Sequence, residues 1–252
     1  MAGRIAALYR HPIKGFTPQK VSAVFLETDR PFPGDRLWAV ENGPSGFDPG
    51  RPAHVPKSRF TVLARIPQVA LARTDYDLKT GELVARAPGI PPFRGHLAKE
   101  WGKTAFAAWL EALLGEAATG PLKVLDGDGH RFLDDPEGHI SIINLASVRD
   151  FEARIGQAVD PLRFRANLYV DGWRPWEEID WVGRELALGD VRVNVTQSIT
   201  RCAAPDVDPT TAQPDIEVTH RLHEFYGHLL CGIYVHVTAP GRLAEGDEAR
   251  LL

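Results

Sequence analysis

Twenty prolines and 23 glycines are spread along the 252 residues, and this punctuation constrains the fold more than any other feature. Proline removes a backbone donor and fixes φ, and glycine opens turn conformations, so few uninterrupted stretches are long enough for a helix. The short apolar runs between the breakers predict strands over 5–9, 21–28, 37–41, 60–64, 69–73 and 83–87. The second half repeats the pattern over 122–125, 140–143, 164–170, 185–188, 191–196 and 232–238. Lys79 to Glu82, between two such runs, reads as a hairpin turn.

Three segments carry a helical period instead. Residues 103–114 place Phe106, Leu110, Leu113 and Leu114 on one face, with Gly115 as the stop. Residues 145–155 follow Asn144, a side chain suited to an N-cap, and end at Gly156. A shorter helix is predicted over 218–226, ended by Gly227. The fold class is therefore mainly β with a few helices (α+β) and barrel-like. The Pro/Gly-rich stretch 87–95 reads as a junction between a smaller β-rich unit over 1–92 and a larger one over 93–252. No G-x-G-x-x-G, P-loop, C-x-x-C or G-x-S-x-G occurs, so the commonest nucleotide, redox and serine-hydrolase signatures are absent.

A formal charge of −4 gives no reason to expect nucleic acid or an anionic membrane as partner. Any anion site must be local, built from a few placed arginines and lysines. Two cysteines make no disulfide framework and fit a reducing compartment. No apolar run approaches the ~20 residues that span a bilayer, and no signal-peptide core is seen, so the expectation is a soluble cytoplasmic protein.

Thr200-Arg201-Cys202 carries the strongest chemical signal, lying between a β-like run and the turn-rich Asp206-Val207-Asp208-Pro209. An adjacent cation favours a thiolate, which is both a nucleophile and a soft metal ligand. Cys202 could bind a soft metal, carry sulfur or attack an electrophile. Lys14 and Gly15 follow the first strand and suit a phosphate, against the plain reading of a strand exit with a solvated lysine. Arg36, beside Asp35, could offer its planar fork to an oxyanion or form a structural ion pair. Arg163, Arg165 and Asn167 alternate along a predicted strand and would share one face, lining a cleft or facing solvent. Cys231, embedded in apolar sequence, reads as an inert core thiol. The nine histidines show no zinc-ligand spacing.

Taken in order, these signals make a specific pattern: the His11-Pro12-Ile13-Lys14 strand exit, Asp35-Arg36-Leu37-Trp38, Arg163-Phe164-Arg165-Ala166-Asn167, Arg201-Cys202 before Val207-Asp208-Pro209, and Gly246-Asp247. In this the chain resembles the MOSC family, named for the C-terminal domain of molybdenum-cofactor sulfurases, together with its N-terminal β-barrel partner domain. Its arrangement is similar to that of amidoxime-reducing components and their bacterial homologues. The resemblance implies that Cys202 ligates molybdenum, and that Lys14, Gly15, Arg36, Asn144, Arg165, Asn167, Thr200 and Arg201 hold a molybdopterin-type cofactor. It implies reduction of N-hydroxylated or N-oxide small molecules, with electrons from a separate donor protein such as a ferredoxin, a flavodoxin or a cytochrome b5-like protein with its reductase. A sulfur-carrier or cofactor-delivery role for Cys202 is the alternative. Pyridoxal phosphate, which the family sometimes carries on a fused domain, is not expected. The chain departs from the family pattern at Gly15, where serine is frequent, at Pro205-Asp206, where a threonine pair is usual, at Ala212, which replaces a glycine, and at Asn144, which replaces a serine.

Overall fold

The structure, a computed structural model, describes residues 2–127 and 129–252. The first half carries β1 (Ala2–Arg10), β2 (Gln19–Val21), β3 (Ala23–Leu26), β4 (Trp38–Asn42), β5 (Arg73–Tyr76), β6 (Glu82–Ala87), β7 (Ile90–His96) and α1 (Glu100–Leu114). The second carries β8 (Leu122–Asp126), β9 (Ile140–Asn144), α2 (Leu145–Ile155), β10 (Leu168–Asp171), β11 (Glu185–Leu188) and β12 (Val191–Thr200). It ends with α3 (Val218–Tyr226), β13 (Leu230–Ala239), β14 (Gly241–Ala244) and β15 (Glu248–Leu251).

Seven strands close into a barrel in the order β10-β9-β13-β12-β11-β15-β1, because β1 pairs with β15 on one side and with β10 on the other. Closure removes the edges that an open sheet would expose. The strands alternate as a barrel requires: Val191, Val193 and Val195 are buried while Arg192 and Asn194 are not. Leu8, Ile142, Leu168, Val170, Leu186, Val193 and Ile233 join the barrel core. A second core lies under α1, where Phe106, Leu110 and Leu114 meet the three-stranded sheet β5-β6-β7 and the pair β4-β8. A third sits outside the barrel, where α2 and α3 bury Val148, Phe151 and Leu222.

The helices form where the periodicity predicts, with α2 capped by the Asn144 side chain and stopped by a left-handed Gly156. Four other segments differ from expectation. Residues 60–64 make only an isolated bridge, Phe60 to Glu41, before turning. Residues 67–71 form a 3-10 turn opened by Pro67, so the strand starts at Arg73. Residues 161–164 form a 3-10 turn as well, and the strand predicted from 164 begins at Leu168. The Pro/Gly-rich stretch 87–95 carries β7, which tolerates Pro91 and Pro92 because it is the edge of its sheet. Among the described residues, no helix is long and apolar enough to cross a membrane.

Candidate functional site

One end of the barrel opens into a cleft of about 360 Å³. Its walls come from the last residues of β12, the turn before β10, the 133–139 segment and the short 3-10 turn Lys57–Arg59. β12 carries irregularities between Val195 and Gln197 and between Ser198 and Thr200. Such bulges re-aim side chains at barrel rims, and here they turn Gln197, Ser198, Thr200 and the following Arg201-Cys202 into the cleft. Cys202 is half-buried, two residues past the strand.

Six of the sequence-predicted residues converge here: Arg36, Arg165, Asn167, Thr200, Arg201 and Cys202. Arg36 and Arg165 both have positive φ, 44° and 53°. Non-glycine residues in this region are strained, and such strain is held only where surrounding structure over-determines it. The Arg36 backbone N–H donates to His11 O at 2.7 Å, and its guanidinium reaches Asp35 and, at 3.2 Å, Arg165 O. Arg165 donates to Phe16 O at 2.7 Å and has no carboxylate partner among the described residues. Its burial and the neighbouring Arg36 charge draw its pKa down to about 10. Arg201 donates to Cys231 O at 2.8 Å and Phe164 O at 3.0 Å, again meeting carbonyls rather than carboxylates. Asn167 accepts from Ser141 N and Oγ at 3.2 and 2.9 Å, locking its amide against β9.

His11, fully buried behind the two arginines, donates from Nε2 to Ala166 O at 3.2 Å. Burial, then the charges of Arg36 and Arg165, hold its pKa well below the ordinary histidine value. It is a neutral wedge that adds no positive charge of its own.

Lys14, Gly15 and Asn144 do not line the cleft. Lys14 is buried and spans from Phe132 O, at 2.8 Å, to Asp134, which stands on the cleft wall. Burial lowers the Lys14 pKa, while Lys14, Lys57 and Arg36 overcome burial at Asp134 and draw its carboxyl down to about 2. The pair is ionised at neutral pH. Because the Asp134 pKa is depressed below its ordinary 3.8, its contribution to stability is fully present above about pH 4 and lost as pH falls towards 2. Asp134→Asn should remove that portion of acid sensitivity, and urea midpoints compared across pH 2–5 check it.

Asn144 has every polar atom engaged away from the cleft. Its Oδ1 accepts from Ala146 N at 3.0 Å, and Nδ2 donates to Arg174 O at 2.7 Å and to the buried Glu178 at 2.8 Å. Asn144→Ala removes the cap and a partner of the buried Glu178 carboxyl. It should cost about 2 kcal/mol, read as a lowered urea midpoint, and leave Cys202 chemistry unchanged.

Sequence reasoning did not single out Lys57, Asp134, His139 or Tyr234, all of which line the cleft. Lys57 lines the cleft together with Cys202. Burial opposes its charge, but Asp134 and Cys202 outweigh that and hold its pKa above the ordinary lysine value. His139 Nδ1 sits 2.7 Å from Asp135 Oδ2. Lys57 comes from a proline-flanked turn with no periodicity, so only long-range folding brings it to the cysteine. Cys231, by contrast, is buried, and burial pushes its thiol up to about 12, as befits an inert core residue.

Leaving aside Arg163, whose charge is taken up by Asp208 and Asp215, the cleft lining holds four cationic side chains (Arg36, Lys57, Arg165, Arg201) against three carboxylates (Asp35, Asp134, Asp135). It favours an anion beside an accessible thiol, and the fold and site together define a closed-barrel protein with a thiol in a cationic cleft. Comparison with known proteins places that description: residues 2–118 match the MOSC N-terminal beta barrel domain and residues 129–250 match the MOSC domain. The chain belongs to the MOSC family. It is 30% identical over 123 residues to mouse mitochondrial amidoxime-reducing component 1, covering 44% of this chain and 36% of that protein. It is 28% identical over 153 residues to the molybdenum cofactor sulfurase of Anopheles gambiae, covering 56% of this chain and 20% of that protein. The chain thus matches about a third and a fifth of the lengths of these relatives. Among solved structures, the YUAD protein from Bacillus subtilis aligns with a TM-score of 0.49 at 14% identity, covering 99% of this chain and 94% of that one.

Proposed function

We propose that the cleft holds a molybdenum cofactor with Cys202 as the thiolate ligand to the metal, and that the loaded protein reduces N-hydroxylated or N-oxide small molecules. The observation that carries the reading is the placement of Arg36 and Arg165, both in strained left-handed backbone, beside a half-buried cysteine. The donor set fits such a group: a soft sulfur ligand for the metal, and guanidinium forks for a phosphate and polar ring edges. Among the described residues Arg165 and Arg201 donate to carbonyl oxygens and pair with no carboxylate, so their charge is left for an anionic guest.

When bound, the cofactor supplies two-electron redox chemistry that thiol and guanidinium groups lack. The protein's part is ligation, orientation and charge. Thr200 and Asn167 frame the guest, while Lys57 adds a cationic side chain to the same cleft lining as Cys202. Lys14 acts through Asp134, fixing the opposite wall. A buried Cys231 and one accessible Cys202 cannot ligate a four-cysteine cluster, so electrons would arrive from a separate donor protein, such as a ferredoxin, a flavodoxin or a cytochrome b5-like protein with its reductase.

The test is metal analysis with pterin fluorescence on protein made in a cofactor-competent host, followed by assay of N-hydroxylated amidines with an artificial reductant. About one molybdenum and one pterin per chain, with turnover, is expected. Absence of both from wild type sinks the reading. The accessibility of Cys202, together with the likeness to a molybdenum cofactor sulfurase, supports a second reading, in which Cys202 carries a persulfide. Cyanide-labile sulfur on Cys202 in protein that retains no metal would select it.

A further inference from the structure

Beyond ligation and cofactor contacts, something must hold the segment that follows Cys202, because residues 203–217 contain only one short 3-10 turn, Ala204–Asp206. The sequence pairs Arg163 with Arg165 as neighbours on a strand face, but the 3-10 turn at 161–164 sends them apart. Arg163 is 3% exposed. Its guanidinium donates to Pro205 O at 3.2 Å, Asp206 O at 3.3 Å, both oxygens of Asp215 at 2.7 Å and Asp208 Oδ2 at 3.1 Å. A bidentate arginine–carboxylate pair adds geometric specificity as well as attraction. The two carboxylates are themselves placed by the segment: Asp208 Oδ1 accepts from Thr210 N and Thr211 N at 2.7 Å, and Val207 bridges Pro214.

We infer that Arg163 is a positioning residue: it clamps the 204–215 segment and thereby fixes Cys202 and the Ala204-Pro205 wall of the cleft. The inference rests on Cys202 being the working residue of the site, as proposed above. Geometry supports it from both sides. Arg165, two residues on, stands on one wall of the cleft, and Pro205, three residues past Cys202, stands on another. Arg163 therefore ties together the two walls between which any guest must fit. The departures from the family pattern, Pro205-Asp206 and Ala212, fall inside the clamped segment. Ala212 keeps a φ of 59°, a conformation glycine adopts without strain, so the segment is held in shape against a local preference.

The experiment uses metal-free protein and the neutral reagent iodoacetamide, following modification of each cysteine by intact mass and peptide mapping. Arg163→Lys keeps the charge and loses the fork; Arg163→Met loses both; Asp215→Asn, at an exposed carboxylate, weakens the clamp from the other end. The expected result is Cys202 modified several-fold faster in Arg163→Met and Asp215→Asn, with partial restoration in Arg163→Lys. New proteolytic cuts should appear within 203–217, while Cys231 stays protected and Tm stays near wild type. If Arg163→Met does not fold, Asp215→Asn and Arg163→Lys decide. Unchanged Cys202 modification and proteolysis in folded Asp215→Asn and Arg163→Lys overturn the clamp. Cys202 and Cys231 becoming reactive in parallel overturns it too, because that marks general loosening. None of these readouts needs the cofactor, so an empty wild-type cleft would sink the proposed function without touching this result.

Discussion

Cys202→Ala should fold as well as wild type and yet lose nearly all of its molybdenum when expressed in a cofactor-competent host. The stability side follows from the thiol's place: half-buried, past the end of β12 and outside the three apolar cores. Changes at such positions shift stability by about 0.5 kcal/mol or less. The metal side follows from the residues around it. The cleft lining contains one sulfur, and its arginines can hold a phosphate or ring edge but cannot replace a soft ligand. Pterin should therefore persist better than metal in the variant. Elemental analysis beside pterin fluorescence measures both, and wild-type metal content in Cys202→Ala would remove the cysteine from the site.

The largest stability effect is expected at Gly15, and it runs against family resemblance. The resemblance puts a serine there in many members, so Gly15→Ser looks like a restoration. In this chain Gly15 has φ +90°, and an added Cβ would lie 2.5 Å from Thr61 O, a backbone atom that cannot swing aside. Positive-φ strain and the forced displacement together should cost on the order of 3 kcal/mol. For a chain of this size that is a Tm drop on the order of 10 °C. Differential scanning calorimetry of the variant measures it. A Tm within 2 °C of wild type, taken as the margin for no effect, would mean that the 13–16 turn relaxes freely and that Gly15 is not a packing requirement.

Much of this was readable from local signals. Asn144 and Gly156 bracket α2, and the glycine stops end α1 and α3. The alternating valines of β12 announce a half-buried strand. The run 164–170 misled because Phe164 and Ala166 look like strand residues. They are instead buried by a 3-10 turn and the bend that follows, which let Arg163 and Arg165 diverge. Asn144 shows the reverse: its cap role was legible and is what the structure shows, whereas a cofactor contact rests on resemblance alone. Lys57 and Asp134 gave no local sign, since their importance comes from what folding sets opposite them. A sequence displays periodicity along the chain, but contacts across a barrel end depend on closure.

That closure has a consequence for how the molecule comes into being. β1 has its barrel partners, β10 and β15, far along the chain, with Ala2 opposite Arg250. At translation speeds of about 5–20 residues per second, roughly 10–50 s separate its emergence from that of the final strand. Throughout that interval Ile5 and Leu8 lack the barrel interior they finally fill. The newborn chain thus holds β1 with only β2 beside it until β10 and then β15 emerge, a window in which chaperone capture competes with self-association. The cleft, which needs β12 and β13 in place, can take no guest until late in that window.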